Sequence, residues 1–349
     1  SVLLIGPRRI GKTELLKHLA ASARAELGAA LVDLEGATDV ETAVERVARA
    51  LETVDVRWRA RRTVAKVLEA AKGVRRVEVA GVGLDRQPER TSIWKVCEEM
   101  LDVAVEALAP RPLVLLLDEV PWWLDALRRP KSTDGADVDP PARTVLAQLR
   151  YLRQRAGLRE GLRMVLTGSV GLGGLAAKID ASAEINDLET EVLRPLAPVD
   201  GAGLFESELA GRGANPGPEA AQLAHDLAGG SPHWIKQLAA KVTVSGPVET
   251  EHVEAALERL LEPHMRHMFQ DQAGEHLRRR HTAADVGVMR AVLHEAARAE
   301  YGAPLAVLLT AALAAGASDR ARAEALVLQL VDEFYLEQTT EAALRFSNP

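Results

Sequence analysis

A chain of 349 residues is long enough for two or three domains, and its apolar (47%) and charged (27%) fractions are those of a globular protein that dissolves in water. A net charge of -7 supplies no global basic character for gripping nucleic acid, and the single cysteine, Cys97, excludes an internal disulfide framework and fits a reducing cytoplasm. No apolar run approaches the ~20 residues that a membrane span needs, and no signal peptide is visible.

The chain opens at Ser1 without an initiator methionine, already inside an apolar run, so further residues are expected upstream. Ser1–Ile5 (SVLLI) reads as a short buried strand. It leads at once into Gly6-Pro7-Arg8-Arg9-Ile10-Gly11-Lys12-Thr13, which has the G-x-x-x-x-G-K-[ST] spacing, and a helical pattern follows from Glu14. The chemistry explains that spacing. Glycines let the backbone N–H groups turn inward around phosphates, and the helix N-terminus adds positive potential. Lys12 would reach β- and γ-phosphates and Thr13 would hold Mg²⁺ through its hydroxyl, with the run Gly6–Glu14 contacting the nucleotide.

Next come a second strand at Ala30–Leu34 and a helix over Asp39–Leu51, with Asp39 near its start. Val56–Lys72 is a basic amphipathic segment, and Val77–Leu84 alternates and contains glycines, as a short hairpin does. Thr91–Leu108 reads as a helix on which Cys97 is a small core residue. Pro112–Asp118 is then an apolar run ending in Asp118-Glu119, which suits a central strand covered on both faces. Lys131–Pro141 is polar and contains Pro and Gly, hence a loop. A helix over Ala142–Ala156 and a buried strand over Arg163–Thr167 follow. Strands alternating with helices predict parallel βαβ units, an α/β fold with a doubly wound sheet.

The character changes near Leu196-Ala197-Pro198. Val199–Val244 is helical with a break at Gly211–Pro218, and the rest is almost all helical until Phe334–Phe346, which reads as a terminal hairpin. Helices followed by a small hairpin suggest a winged helix.

Asp118 and Glu119 extend the phosphate-loop reading. A carboxylate ending a buried strand can sit beside Mg²⁺, and the next can orient an attacking water; the alternative for Glu119 is a solvated loop acid. The later strand ends in Thr167-Gly168-Ser169, where either hydroxyl could meet the γ-phosphate or the water. Gly229-Gly230-Ser231-Pro232 stops one helix and starts the next, with Ser231 as N-cap and Pro232 at the first helical position. Such a turn needs no ligand, yet it can also rest a proline against adenine.

Taken together, GPRRIGKTELL (6–16), LVLLLDEVPWWL (113–124), VLTGSVGLGGL (165–175), PLAP (195–198) and LAGGSPHWI (227–235) resemble the archaeal-type ATPase family of STAND P-loop NTPases, which is related to AAA+ and origin-recognition proteins. LEQTTEAALRFSNP (336–349) is similar to the winged-helix hairpin of that family. The resemblance covers essentially the whole chain. It implies an ATPase core (1–198), a helical lid (199–248) and a helical, winged-helix-like domain (249–349). By motif it makes Lys12 and Thr13 Walker A, Asp118 and Glu119 Walker B, and Ser169 or Thr167 sensor 1. Pro232 matches the lid proline, in the place where AAA+ lids usually carry a sensor 2 arginine. No arginine lies between Val170 and Leu193, so an arginine finger has only Arg194 as a nearby candidate. Both departures favour a slow switch over a ring motor.

The implied function is an ATPase in the cytoplasm that uses ATP/ADP and Mg²⁺ between core and lid, and whose nucleotide state controls homo-oligomerisation or binding of an effector protein. The runner-up is a DNA-acting ATPase akin to origin-recognition or transposition-regulator proteins. A third reading is a scaffold in which nucleotide is only structural. The winged helix favours DNA, but Ser318–Pro349 carries three arginines against six carboxylates. The best basic patch is Arg57, Arg59, Arg61, Arg62, Lys66, Lys72, Arg75 and Arg76 with Trp58 interleaved, which is either a nucleic-acid grip or a solvated helix face. Arg278-Arg279-Arg280 has the same ambiguity. His264, His267, His276 and His281 show no zinc-site spacing and read as surface histidines.

Overall fold

The computed structural model describes residues 1–22, 26–54, 93–128, 141–168, 171–262, 274–275, 277–278, 281–299, 302–339 and 343–346. The basic segment Val56–Lys72, the Val77–Leu84 hairpin, the rest of the Arg57–Arg76 patch, all of the polar stretch Lys131–Pro141 but its last residue, Ser169, Arg279, Arg280, His264, His267 and His276 lie outside them. Contacts divide the chain into two compact units. One is Ser1–Ile5 with Lys12–Val192, the other Gly6–Gly11 with Leu193–Pro349.

The first unit is built on a five-stranded, all-parallel sheet. Its strands are β1 (Val2–Ile5), β2 (Gly28–Asp33), β3 (Leu113–Asp118), β4 (Leu162–Thr167) and β5 (Glu189–Val192), in the order β2-β3-β4-β1-β5. Helices α1 (Lys12–Ser22), α2 (Val40–Thr53), α3 (Ile93–Leu108), α4 (Val120–Arg128), α5 (Pro141–Gln154), α6 (Ala156–Arg159) and α7 (Leu172–Lys178) connect them. β3 is the central apolar run. Leu113, Leu115 and Leu117 enter one large core with Val44, Val47 and Leu51 of α2 and Met100, Leu101 and Ala104 of α3, while Leu116 points to the other face. Asp39 caps α2, its carboxylate accepting the Thr42 N–H at 2.7 Å, and its carbonyl accepts from the Trp123 indole at 3.3 Å. Cys97 is a core residue as expected, and burial pushes its thiol up to about 12.

β5 was not anticipated. Its sequence Glu-Thr-Glu-Val has no apolar alternation and every residue is exposed; among the described strands it pairs only with β1, Leu3 opposite Thr190 and Leu4 opposite Glu191. The turn leading into it is anchored by Arg153, whose guanidinium is 2% exposed. Its Nε and Nη2 donate to the Asp187 carboxylate at 3.1 and 2.7 Å, and Nη2 also donates to the Glu184 carbonyl at 2.8 Å. Burial alone would raise the Asp187 carboxyl, but the Arg153 fork more than offsets it and holds Asp187 below the usual range.

In the second unit α8 (Pro198–Ala210), α9 (Pro218–Leu227), α10 (Pro232–Lys241) and α11 (Thr250–Leu260) close around Phe205, Leu209, Ile235, Leu238 and Val253. The first three each begin with proline, whose missing N–H and fixed φ suit that position. Two three-residue strands, β6 (Ala214–Pro216) and β7 (Gly246–Val248), pair in parallel within the expected helical breaks. The C-terminal part has its own core of Val288, Met289, Val292, Leu308, Leu326, Leu330 and Leu336. Helices α12 (Ala283–Arg298), α13 (Leu305–Ala314) and α14 (Arg320–Asp332) pack with an antiparallel sheet of order β8-β10-β9. Its strands are β8 (Ala303–Pro304), β9 (Leu336–Gln338) and β10 (Ala343–Phe346). The expected terminal hairpin is therefore present, with β8 added on the far side of β10. His281, expected at the surface, is instead buried at 3% side-chain exposure, its Nε2 3.1 Å from the Glu333 carboxylate. Among the described residues no helix is long and apolar enough to cross a membrane.

Candidate functional site

The residues from Gly6 to Gly11 join β1 to α1. Three of them take left-handed backbone angles: Gly6 (φ +154), Arg9 (φ +62) and Gly11 (φ +99). Gly11 adopts its angle without a side chain to strain. Gly6 is needed for a different reason, because a Cβ there would lie 2.5 Å from the Leu193 carbonyl oxygen. Positive φ at Arg9 and Gly11 is what a backbone anion nest uses to turn N–H groups to one side.

Immediately after the loop, Lys12 opens α1 and is 6% exposed. The Thr13 hydroxyl donates to Asp118 Oδ2 at 2.6 Å, joining residues 105 apart in the chain. Asp118 is 4% exposed at the end of β3, and its Oδ1 accepts the Glu119 N–H at 3.0 Å. Glu119 has φ +56, an angle that non-glycine residues rarely adopt, and its carbonyl accepts from Trp122 and Trp123 as α4 begins. A hydroxyl and a carboxylate in contact are the hard oxygen donors that Mg²⁺ takes alongside phosphate oxygens, so the pair fits that ion. Among the described residues no cluster of three or more His, Cys, Asp or Glu forms a metal cage, and Mg²⁺ shared with a nucleotide needs none.

Between β1 and β3 in the sheet lies β4, with Leu4 opposite Thr167 and Leu117 opposite Leu166. Thr167 is thus carried to the sheet end where Asp118 also stands. It is 1% exposed, and its hydroxyl has no hydrogen-bond partner among the described residues. A buried hydroxyl left alone is costly, and such a group is satisfied when a ligand oxygen arrives. Gly168 permits this close approach, since a Cβ there would lie 2.3 Å from Pro121 Cδ, two residues beyond Glu119. Ser169 lies outside the described residues, so the geometry speaks only for Thr167.

The glycine turn at residues 229–232 has its own partners. The Leu196 N–H donates to the Gly230 carbonyl at 2.9 Å, and His225 Nε2 donates to the Leu196 carbonyl at 3.0 Å. Ser231 occupies the N-cap of α10, but its hydroxyl does not cap; it is fully buried without a partner. Pro232 opens α10 as expected, and two residues on stands Trp234. The Arg9 guanidinium carbon lies 5.6 Å from the Trp234 ring centroid, and the His233 ring meets Trp234 edge-on at 4.9 Å and 74°. Burial, then the Arg9 charge, lowers the basicity of His233. Sequence reasoning missed His225 and Trp234; a lone aromatic or histidine on a helix carries no spacing signal. Arg194 is exposed in the segment between β5 and α8.

The arrangement can be set against known structures. The Walker-type ATPase Paby2304 of Pyrococcus abyssi superposes with a TM-score of 0.64 at 17% identity, over 100% of this chain and 88% of that one. The chain has a P-loop ATPase fold. More distant structures include Aeropyrum pernix Orc1 in complex with DNA (TM-score 0.39, 16% identity, 100% of this chain and 84% of that one). The Holliday junction branch migration motor RuvB of Thermotoga maritima gives 0.40 at 13% identity, over 99% and 83%. Those two are too dissimilar to carry any argument. No protein-family model and no curated protein matches the sequence.

Proposed function

We propose that this chain binds ATP with Mg²⁺ and hydrolyses it slowly, as a STAND-type switch whose nucleotide state governs self-assembly or docking of an effector protein. The observation that carries this reading is the 2.6 Å bond from Thr13 to Asp118, which couples the end of the phosphate loop motif to the strand-end carboxylate. In this reading the loop Gly6, Pro7, Arg8, Arg9, Ile10, Gly11, Lys12, Thr13 and Glu14 surrounds the phosphates, with the backbone N–H groups of all but Pro7 able to donate. Lys12 neutralises β- and γ-phosphate oxygens. Thr13 and Asp118 hold Mg²⁺, whose bound charge stabilises the phosphate oxygens as negative charge redistributes. Glu119 orients the water, the Thr167 hydroxyl bonds the γ-phosphate or that water, and Pro232 rests against the adenine. Because the transferred group passes to water through a loose transition state, position and charge supply most of the acceleration.

The helix order and antiparallel sheet of the C-terminal part support reading it as a winged helix. Its charges favour a protein partner over DNA. Arg320 pairs with Glu324 at 3.0 Å, Arg322 with Asp285 at 2.6 Å and Arg345 with Glu337 at 2.8 Å, so these three arginines of α14 and the hairpin are already engaged by carboxylates. Phosphate contacts would have to compete with those pairs. The test is solution mass by light scattering, with ADP and then with a non-hydrolysable ATP analogue. A defined oligomer formed only with the analogue is the expected result. Unchanged mass in both removes assembly as the output and makes salt-sensitive binding of duplex DNA the next measurement.

A further inference from the structure

We infer that Arg9 and Trp234 form a positioning pair that holds the phosphate loop in its binding-competent shape; this rests on the nucleotide-binding reading above. Arg9 is the fourth residue of the loop motif, and at φ +62 it occupies a backbone region where glycine is at ease and a residue with a Cβ is not. Its conformation is therefore maintained by something outside its own backbone. The described partner is the Trp234 ring, on the first turn of α10, at 5.6 Å from the guanidinium carbon, within reach of a cation–π contact.

Trp234 is itself well placed to hold a cation. It packs against the core that contains Ile235 and Leu238, and the neighbouring His233 ring sets its tilt. Burial and then the Arg9 charge lower the basicity of His233, which disfavours a second cation beside the guanidinium at the indole. The other end of the loop is fixed independently, where Gly6 presses on the Leu193 carbonyl. The loop is thus approached within the second unit at its start, by the Leu193 carbonyl, and at its middle, by the Trp234 ring.

The Arg9 guanidinium on this account does not touch the phosphates. It limits the shapes the empty loop can adopt, and apparent affinity falls when the competent shape is only fractionally populated. An exposed cation–π contact corresponds to about a fivefold change in affinity.

The experiment measures Mg·ADP affinity by calorimetry for the wild-type chain, Arg9→Gly, Trp234→Leu, Trp234→Phe and the Arg9→Gly/Trp234→Leu double variant, with thermal melts to check folding. Arg9→Gly is informative because glycine removes the backbone strain while deleting the guanidinium. Expected are about fivefold weaker binding in Arg9→Gly and in Trp234→Leu, no further loss in the double variant, and near wild-type binding in Trp234→Phe. Unchanged or tighter binding in Arg9→Gly overturns the inference. So does a loss in Arg9→Gly with none in Trp234→Leu, which would put the guanidinium on the nucleotide itself, or losses that simply add. If the wild-type chain is folded and binds no Mg·ADP, the nucleotide-binding reading fails first and this inference with it. Should Trp234→Leu melt early, Trp234→Met, which keeps bulk but removes the ring face, takes its place in the same comparison.

Discussion

Thr13 and Asp118 meet at 2.6 Å although 105 residues separate them. In the proposed nucleotide site this hydroxyl and this buried carboxylate are the protein oxygens that would meet Mg²⁺. Asp118→Asn keeps an acceptor for that hydroxyl and so preserves the fold, but it removes the charge a divalent ion needs. Nucleotide affinity in this variant is expected to become nearly independent of Mg²⁺, and titrations with and without the metal measure it. Lys12→Ala removes a charge-assisted contact, and about 10- to 100-fold weaker ATP binding is expected. Normal binding in Lys12→Ala would remove this loop from the site.

Glu119 is expected to matter after binding. Glu119→Gln should retain ATP affinity and lose turnover, read in single-turnover hydrolysis. Unchanged hydrolysis would leave Glu119 as a solvated turn residue with an unusual φ.

Thr167 presents a conflict between stability and activity. Its buried hydroxyl has no partner, so Thr167→Val replaces an unsatisfied polar atom with a methyl group of the same shape. The folded protein is expected to gain about 1 kcal/mol, raising Tm by about 2–4 °C, while hydrolysis falls on the order of 10²-fold. A lower Tm with normal hydrolysis would mean that the hydroxyl serves the fold alone.

Gly168→Ala acts at a distance from the reacting groups. The added methyl would meet Pro121 at 2.3 Å and displace the turn that carries Glu119. Turnover is expected to fall on the order of 10²-fold with ATP affinity retained, since a shift of about 1 Å suffices for such a loss. Comparing the Michaelis constant with the turnover number separates the two effects.

Arg153 and Asp187 set an acid limit on the first unit. The Asp187 carboxyl is held below its ordinary value, so the folded state favours its charged form. That stability is present above the unfolded carboxyl pKa, about 3.9, and is lost as pH falls through the lower folded value. Arg153→Ala should cost about 3 kcal/mol near neutral pH and distinctly less at pH 3, measured by denaturant unfolding.

Legibility in the sequence tracked how locally each feature is specified. The loop, the strand ending in Asp118-Glu119, the strand ending at Thr167 and the helices opened by Pro198, Pro218 and Pro232 each carry their cause within a few residues. β5 did not, because its strand form comes from backbone pairing with β1 while its side chains face water. β6 and β7 are three residues each and exist only as partners. Ser231 has the residue type and position of a cap, yet its side chain is turned inward and buried, which no local pattern encodes. His281 looked like one of a scatter of surface histidines, and only the fold brings Glu333 to it.

The exposed β5 also bears on how copies of this chain can meet. Among the described strands it closes one border of the sheet, and its Glu189 and Glu191 lie on the same side of the ribbon. Two copies related by a two-fold axis through Thr190 would set Glu189 of each against Glu191 of the other, four negative charges in one small patch. Like charges directly opposed across strands repel, and charged borders are a common means of preventing sheets from fusing. Two glutamates therefore disfavour, at neutral pH, a two-fold pairing of β5 with β5 in this register.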